Sequence, residues 1–311
     1  MGKTQDPIWG EPKPGPQSPD SLLKSQADSR GSGPLDMPQK QKTIGIIAGG
    51  GQFPMMVAEA AEQHGLHVVM AAHQGETDPS IADRVDNIFW IRLGQLGRLI
   101  KTFKANGVNK AIMAGTITKR RMFGDIKPDF KGLSLISKMA VLHDDGILRA
   151  VADELAKEGI EIISAVHFLP ELMTPLGALT KRKPDNAEKE DIALGWKIAK
   201  ELGRLDIGQC VVVRNKTVLA MEAIDGTNET IKRGGKLAEK DAVVVKVSKP
   251  NQDLRFDMPS VGQETIKIMA QVKASVLALE AGKTLMFART EMIKDADRNG
   301  ISIISYENLI E

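Results

Sequence analysis

Two stretches of the chain place carboxylates and cations just past apolar runs. "AMEAIDGTNE" carries Glu222 and Asp225 before Gly226 and Thr227, and "KVSKPNQDLRFDMPSVG" carries Lys246, Lys249, Asp253, Arg255 and Asp257. Carboxylates at strand ends from separate segments can converge on one hard divalent cation, which takes oxygen ligands and keeps several waters. Such a cation polarises a phosphoryl oxygen and lowers the pKa of a bound water. Lys246, Lys249 and Arg255 would then neutralise charge on a phosphate as it reacts. Taken singly, each carboxylate fits an ordinary solvated loop equally well. The two stretches together favour a site.

A second constellation is the turn "GIIAGGGQFP". Glycines between a buried strand and a helix let backbone N–H groups and the helix N-terminus approach a phosphate. Gly49 and Gly51, with Gly50 between them, fit the dinucleotide fingerprint, but Pro54 stands where its third glycine belongs. The following strand, "HVVMAA", ends in His73 instead of the acid that would hold a ribose. NAD is therefore not expected. Another nucleotide is, with a bare turn as the alternative. The run "TITKRRMFGD" follows the strand "KAIMAG", so Lys119, Arg120 and Arg121 form either a ligand loop at the sheet's carboxyl edge or a solvated surface. In "HDDGILRA", Asp144 and Asp145 precede a helix, where capping explains one of them and a site role with Arg149 is the rival account. "AGKT", residues 281–284, imitates the end of a P-loop but lacks the earlier glycine and joins two strands, so it is rejected. His64, His67, His73, His143 and His167 show no metal-ligand spacing, and no Ser-His-Asp arrangement can be read.

Positioning these residues requires strands that end at one edge. From Thr43 onward, "TIGIIA", "HVVMAA", "NIFWIRL", "KAIMAG" and "EIIS" read as buried strands between the helical runs "PMMVAEAAEQHG", "QLGRLIKTFKANG" and "HDDGILRAVADELAKEG". Continuous apolar strands alternating with helices predict a Rossmann-like, mostly parallel sheet covered on both faces. Near "LPELMTPLGALTKRKPDN" the pattern breaks, which divides the chain into domains at 43–172 and 173–311. The second opens with the helix "AEKEDIALGWKIAKELG" and a hairpin, "QCVVVRNKTVLAMEAI", turning at Arg214-Asn215-Lys216. Helices through "NETIKRGG", from Gln263, and in "TEMIKDADRNG" alternate with strands "AVVVKV", "SVLALE", "LMF" and "SIIS". This half is predicted as a mixed-sheet α/β domain. The tail, 1–42, is rich in Pro, Gly, Ser and charge and is expected to be disordered, because it cannot bury enough apolar surface to offset ordering entropy.

The whole chain bounds the function further. Its 311 residues have 42 Lys and Arg against 40 Asp and Glu, a balance that does not call for nucleic acid as a partner. The lone Cys210, in the apolar run "GQCVVV", cannot form an internal disulfide and reads as a buried hydrophobe in a reducing, cytoplasmic compartment. No run approaches the ~20 apolar residues that span a bilayer, and the N-terminus carries no signal-peptide pattern.

Seven segments in order, "IGIIAGGGQFP", "MAGTITKRR", "HDDGILRAV", "LPELMTPLGALT", "GQCVVVRNKTVLAMEAIDGT", "VVVKVSKPNQDLRFDMPSVGQET" and "LALEAGKTLMF", run from about Ile44 to Ser305. The chain so read resembles the LpxI-type UDP-2,3-diacylglucosamine pyrophosphatases of lipid A biosynthesis. The resemblance implies two domains holding a lipid-linked nucleotide sugar, UDP-2,3-diacylglucosamine, between them. It implies Mg²⁺ and water attack on the α-phosphorus, giving UMP and 2,3-diacylglucosamine 1-phosphate. The aspartate of "RFDMPSVG", Asp257, matches the family's catalytic aspartate, with Asp225 as the second carboxylate. On the chemistry above, Asp257 with Asp225 or Glu222 would hold the metal, and Lys249 and Arg255 would stabilise phosphoryl charge. Gly49, Gly50, Gly51, Thr116, Lys119, Arg120, Asp144, Asp145, Thr180, Thr227 and Lys246 are the expected substrate-binding residues. The substrate further implies a Gram-negative bacterium and peripheral contact with the cytosolic face of the inner membrane. A homodimer is a further expectation. The rival classes are a Rossmann-type oxidoreductase, which NAD or NADP binding would reveal, and a non-catalytic lipid- or nucleotide-binding protein.

Overall fold

The computed structural model describes residues 42–117, 128–139 and 144–309, with side chains omitted at 135–139, 144 and 145. The tail expected to be disordered lies outside the described residues up to position 41. The residues described fall within one compact unit.

The first half runs β1 (Thr43–Ala48), α1 (Phe53–Gln63), β2 (His67–His73), β3 (Ile88–Ile91), α2 (Leu96–Ala105), β4 (Lys110–Ala114), α3 (Phe130–Met139), α4 (Asp144–Lys157) and β5 (Glu161–Ile162). The strands form one sheet in the order β3-β2-β1-β4-β5, every pair parallel, as the continuous apolar runs predicted. Both faces are buried because successive side chains of a strand point opposite ways. Ile44, Ile46 and Ala48 pack with Val57, Ala58 and Ala61 of α1, while Ile47 joins Leu99 and Phe103 of α2 and Leu155 of α4. Gly45 sits on the α2 face, where a Cβ would lie 2.9 Å from the Phe103 ring, so its lack of a side chain lets helix and sheet close up. The chain leaves β1 toward β2 and later returns to β4 on the other flank. The carboxyl ends of β1 and β4 are thus a topological switch point, where open α/β sheets bind ligands.

The second half contains β6 (Gly177–Ala178), α5 (Asn186–Arg204), β7 (Cys210–Arg214), β8 (Thr217–Met221), α6 (Gly226–Ala238), β9 (Val243–Lys246), β10 (Ser260–Val261), α7 (Gln263–Gln271), β11 (Val276–Glu280), β12 (Leu285–Met286), α8 (Arg289–Arg298) and β13 (Ser302–Tyr306). Six strands form a mixed sheet, β6-β13-β11-β9-β7-β8. The crossovers β9, β11 and β13 are parallel, while the hairpin β7–β8 and the short β6 run antiparallel to their neighbours. The hairpin turns where expected. Asn215 and Lys216 adopt φ of 51° and 57°, and the carboxylate of Asp191 on α5 accepts both of their N–H groups at 2.8 and 2.6 Å. At the start of α5, Asp185 and Glu188 form a reciprocal capping box. β10 and β12 form a separate parallel pair. Through it Leu285, Met258 and Phe287 join the apolar cluster around α1, so the two halves share part of a core.

Candidate functional site

At the switch point the backbone is drawn tight. Gly50 donates its N–H to the Thr116 carbonyl at 2.7 Å, and Thr116 donates back to the Gly50 carbonyl at 3.1 Å. A Cβ on Gly49 would lie 2.5 Å from the Thr116 carbonyl oxygen, so only glycine permits this approach. Gly49 N–H is likewise spent on the Ala114 carbonyl. The glycine turn is thus first a weld between the β1 and β4 ends, and Gly49 and Gly50 offer no N–H to a phosphate. The anion-facing part shifts to Gly51, with φ of 86°, and to the N-terminus of α1, where Pro54 lacks an N–H. Beside the weld, burial keeps His73 below the usual imidazole range. Its Nδ1 lies 2.9 Å from the Ala48 carbonyl, a strand-end contact inside the fold.

A cavity of about 410 Å³ opens beside this weld. From the first half it is lined by Gly50, Gly51, Phe53, Met113, Thr116 and Ser164. The second half contributes Arg255, Asp257, Met258, Ser260, Leu285 and Phe287. Volume and mixed lining suit a small-molecule site. The structure therefore brings together Gly50, Gly51, Thr116, Arg255 and Asp257 among the residues the sequence singles out, from segments more than a hundred positions apart.

The loop after β9 that carries Asp257 is closely braced. Phe256 and Asp257 donate their N–H groups to the Asp253 carbonyl at 3.2 and 3.0 Å. The guanidinium of Arg255 grips the Asp253 carboxylate through Nε and Nη2 at 2.9 and 2.6 Å, which holds Asp253 below the usual carboxylate range. Asp253 thus braces the loop, leaving Arg255 at the cavity wall. Two bonds from the first half reach the same loop: Arg149 of α4 donates to the Asn251 carbonyl at 3.1 Å, and Ser164 Oγ to the Leu254 carbonyl at 3.3 Å. Asp257 accepts from the amide of Gln252 at 2.7 Å on one carboxylate oxygen. Lys246, only 7% exposed, donates to the Ser260 carbonyl at 2.8 Å and has no carboxylate within ion-pair distance among the described residues. Lys246 does not itself line the cavity, but it holds Ser260, which does, and a buried cation without an acidic partner among the described residues favours an anion nearby.

Other expected residues stand elsewhere. Lys249 is absent from the cavity lining, and its ammonium is paired with Asp206. Asp225 is bound by Arg233 at 2.8 Å and by the Ala223 N–H, and that arginine lowers its pKa. Glu222 accepts from Thr227 Oγ at 2.8 Å and from Gln209 N–H at 3.2 Å, so both members of that pair are engaged in fixing the β8–α6 turn. Thr180 donates to the Arg182 carbonyl and accepts from Ile303 N–H beside β13. Lys119, Arg120 and Arg121 lie outside the described residues, as do the side chains of Asp144 and Asp145.

The expected metal trio of Asp257, Asp225 and Glu222 needs correction. Among the described residues no three His, Cys, Asp or Glu side chains gather closely enough to hold a metal ion. Strand-end position alone misled, because Asp225 and Glu222 serve their own turn. Asp257, with one oxygen bonded by Gln252, fits a different arrangement. Mg²⁺ is often held by one or two carboxylates together with substrate phosphates and water. Cys210 is buried, and burial pushes its thiol far above the usual range, in keeping with an inert core residue.

Sequence reading missed Gln252, Ser164 and the apolar wall. Gln252 lies inside the charged loop but belongs to no motif, and Phe53 and Phe287, whose rings meet edge-on at 5.4 Å, carry no spacing signal.

Residues 43–172 match the family described as the LpxI N-terminal domain, and residues 175–304 the LpxI C-terminal domain. The chain is 33% identical over 277 residues to the UDP-2,3-diacylglucosamine pyrophosphatase LpxI of Caulobacter vibrioides, covering 86% of this chain and 98% of that protein. Among solved structures, the biotin carboxylase subunit of pyruvate carboxylase is 13% identical, with a TM-score of 0.24 over 60% of this chain and 38% of that one. A likeness that weak carries no argument.

Proposed function

The chain belongs to the LpxI family, and from that premise we propose that it hydrolyses the pyrophosphate bond of UDP-2,3-diacylglucosamine. The observation that carries this reading is the cavity at the switch point, which unites the glycine weld with Arg255 and Asp257. Water attacks the α-phosphorus, a new P–O bond forms, and the bridging P–O bond breaks, giving UMP and 2,3-diacylglucosamine 1-phosphate. Asp257 orients the attacking water and takes its proton. Arg255 at the cavity wall and the buried Lys246, which holds Ser260 of that wall, offset the negative charge of the pyrophosphate, while Lys249 is paired with Asp206. The N-terminus of α1 adds favourable potential at Gly51. Phe53, Met113, Met258, Leu285 and Phe287 provide apolar surface for the acyl portion. When bound, Mg²⁺ held by Asp257 and the substrate would lower the pKa of water and polarise the phosphoryl oxygen.

Peripheral contact with a membrane is part of the same proposal. The substrate carries acyl chains, and Phe130 and Leu133 of α3 are 89% and 58% exposed. No helix among the described residues is long and apolar enough to cross a membrane. A homodimer is proposed as well, supported by the exposed apolar Leu205, Ile207, Met221 and Ile224 beyond α5 and around the edge strand β8.

The test is incubation of the full chain with UDP-2,3-diacylglucosamine and Mg²⁺ in ¹⁸O-water. UMP carrying the label is expected. Label in the sugar phosphate would mean attack at the other phosphorus, and failure to release UMP would overturn the proposal.

A further inference from the structure

Gln252 stands where the loop's hydrogen bonds converge on Asp257. Its Nε2 donates to the Asp257 carboxylate at 2.7 Å. The other end of the same amide, Oε1, accepts the Lys249 N–H at 3.0 Å and the Ser248 hydroxyl at 3.1 Å. A backbone N–H can only donate, so the oxygen must face Lys249 and the NH₂ must face Asp257. The reversed amide would set donor against donor at one end and carbonyl against carboxylate at the other.

The amide is itself anchored to a buried ion pair. Ser248 donates its N–H to Glu280 at 2.8 Å, and its carbonyl accepts from Lys200 Nζ at 2.9 Å. Lys200 and Glu280 meet at 2.6 Å, and Glu280 is 1% exposed. The pair joins α5 to the end of β11, so the carbonyl of Ser248 is held by the helix and its N–H by the strand. A buried carboxylate and ammonium left without such partners would be costly, which keeps the arrangement in place.

We infer that Gln252 is a positioning residue that fixes the rotamer of the Asp257 carboxylate, holding one oxygen so that the other is presented to the reacting water. The inference rests on the hydrolase reading above. It assigns a role to the residue between the prolines of the loop that no motif marked. Partners of this kind, acting through a group at the site, are worth about 10–100-fold in activity.

The experiment compares the full-length wild type with Gln252→Met, which keeps length without polarity, and Gln252→Glu, which keeps the acceptor oxygen but cannot donate when ionised. Both are expected to lower kcat by about 10–100-fold with KM within about twofold. Gln252→Met also strips the Lys249 N–H and the Ser248 hydroxyl of their acceptor and should lower the thermal midpoint, whereas Gln252→Glu keeps that oxygen. In an Asp257→Asn background, Gln252→Met should cost nothing further. A purely structural role would cost the same in either background. Independently of turnover, the side-chain amide resonance of Gln252 should shift in Asp257→Asn. Turnover near wild type in both Gln252 variants, or equal losses in both backgrounds, overturns the inference. If the wild type releases no UMP while the amide resonance still responds to Asp257→Asn, the hydrolase reading fails and the positioning contact stands.

Discussion

At the scale of single residues, chemistry and position separate. Asp257 and Asp225 are alike in residue chemistry, each an acid after an apolar run; the family resemblance ranks Asp257 first, and the fold supplies the physical difference. Asp257 lines the cavity, while Asp225 is held by Arg233 on the flank of α6. Asp257→Asn is expected to reduce UMP release by about a thousandfold, in the range of losing a general base with its associated positioning. Asp225→Ala, removing an exposed ion pair worth under about 1 kcal/mol, should stay within about threefold of wild type. Steady-state assays of both variants at matched folding check the contrast, and a collapse of activity in Asp225→Ala would return it to the site. The charged loop was legible as a candidate phosphate-binding stretch because its residue types are those the chemistry needs. Which of its members face the cavity was not legible, since Asp253 and Lys249 are engaged by Arg255 and Asp206. That choice depends on side-chain directions over tertiary distances.

At the scale of elements, the strands were read well because burial on both faces leaves an unbroken apolar signature, as in "TIGIIA" and "AVVV". The helix α3 was not. Its sequence "FKGLSLISKM" has a glycine in the first turn and exposes Phe130 and Leu133, so no clean apolar face marks it. Gly132 is there for a reason that sequence spacing does not carry: a Cβ would collide with the Gly94 carbonyl oxygen. The glycine turn after β1 was legible as special but for a partly mistaken reason, since two of its N–H groups join β4 and face no ligand. A prediction follows from that weld. Gly49→Ala must push the Thr116 carbonyl away, because its neighbour is backbone and cannot swing aside. A loss of about 1–3 kcal/mol is expected, the usual cost of forcing extra volume into close packing. Denaturant unfolding would register it, together with a fall in UMP release from the distorted switch point. Stability equal to wild type would show that the β1 and β4 ends can separate without cost.

At the scale of the molecule, the cavity exists because two sheets present loops toward one another and the loop after β9 is fastened to both. Lys200 and Glu280 hold it from the second half, while Arg149 and Ser164 hold it from the first. The division into two α/β halves could be read from the break near Pro170, but the fastening from the first half could not, since each of its two bonds joins residues 90 or more positions apart. Nothing local in the sequence announces such pairs. The fastening predicts a coupling between architecture and catalysis. Removing both first-half bonds, in an Arg149→Ala, Ser164→Ala double variant, leaves the sheets intact but frees the loop carrying Asp257. Local opening becomes easier by roughly the net worth of two hydrogen bonds, about 1–3 kcal/mol, or about 5–150-fold in the open population. Limited proteolysis within residues 247–259 should accelerate by that factor while far-UV circular dichroism is unchanged. UMP release should fall as well, because the oriented fraction of Asp257 falls with it. If cleavage of the loop stays as slow as in wild type, the second-half anchor at Lys200 and Glu280 suffices alone, and the two halves meet at the cavity without the first one holding the loop in place.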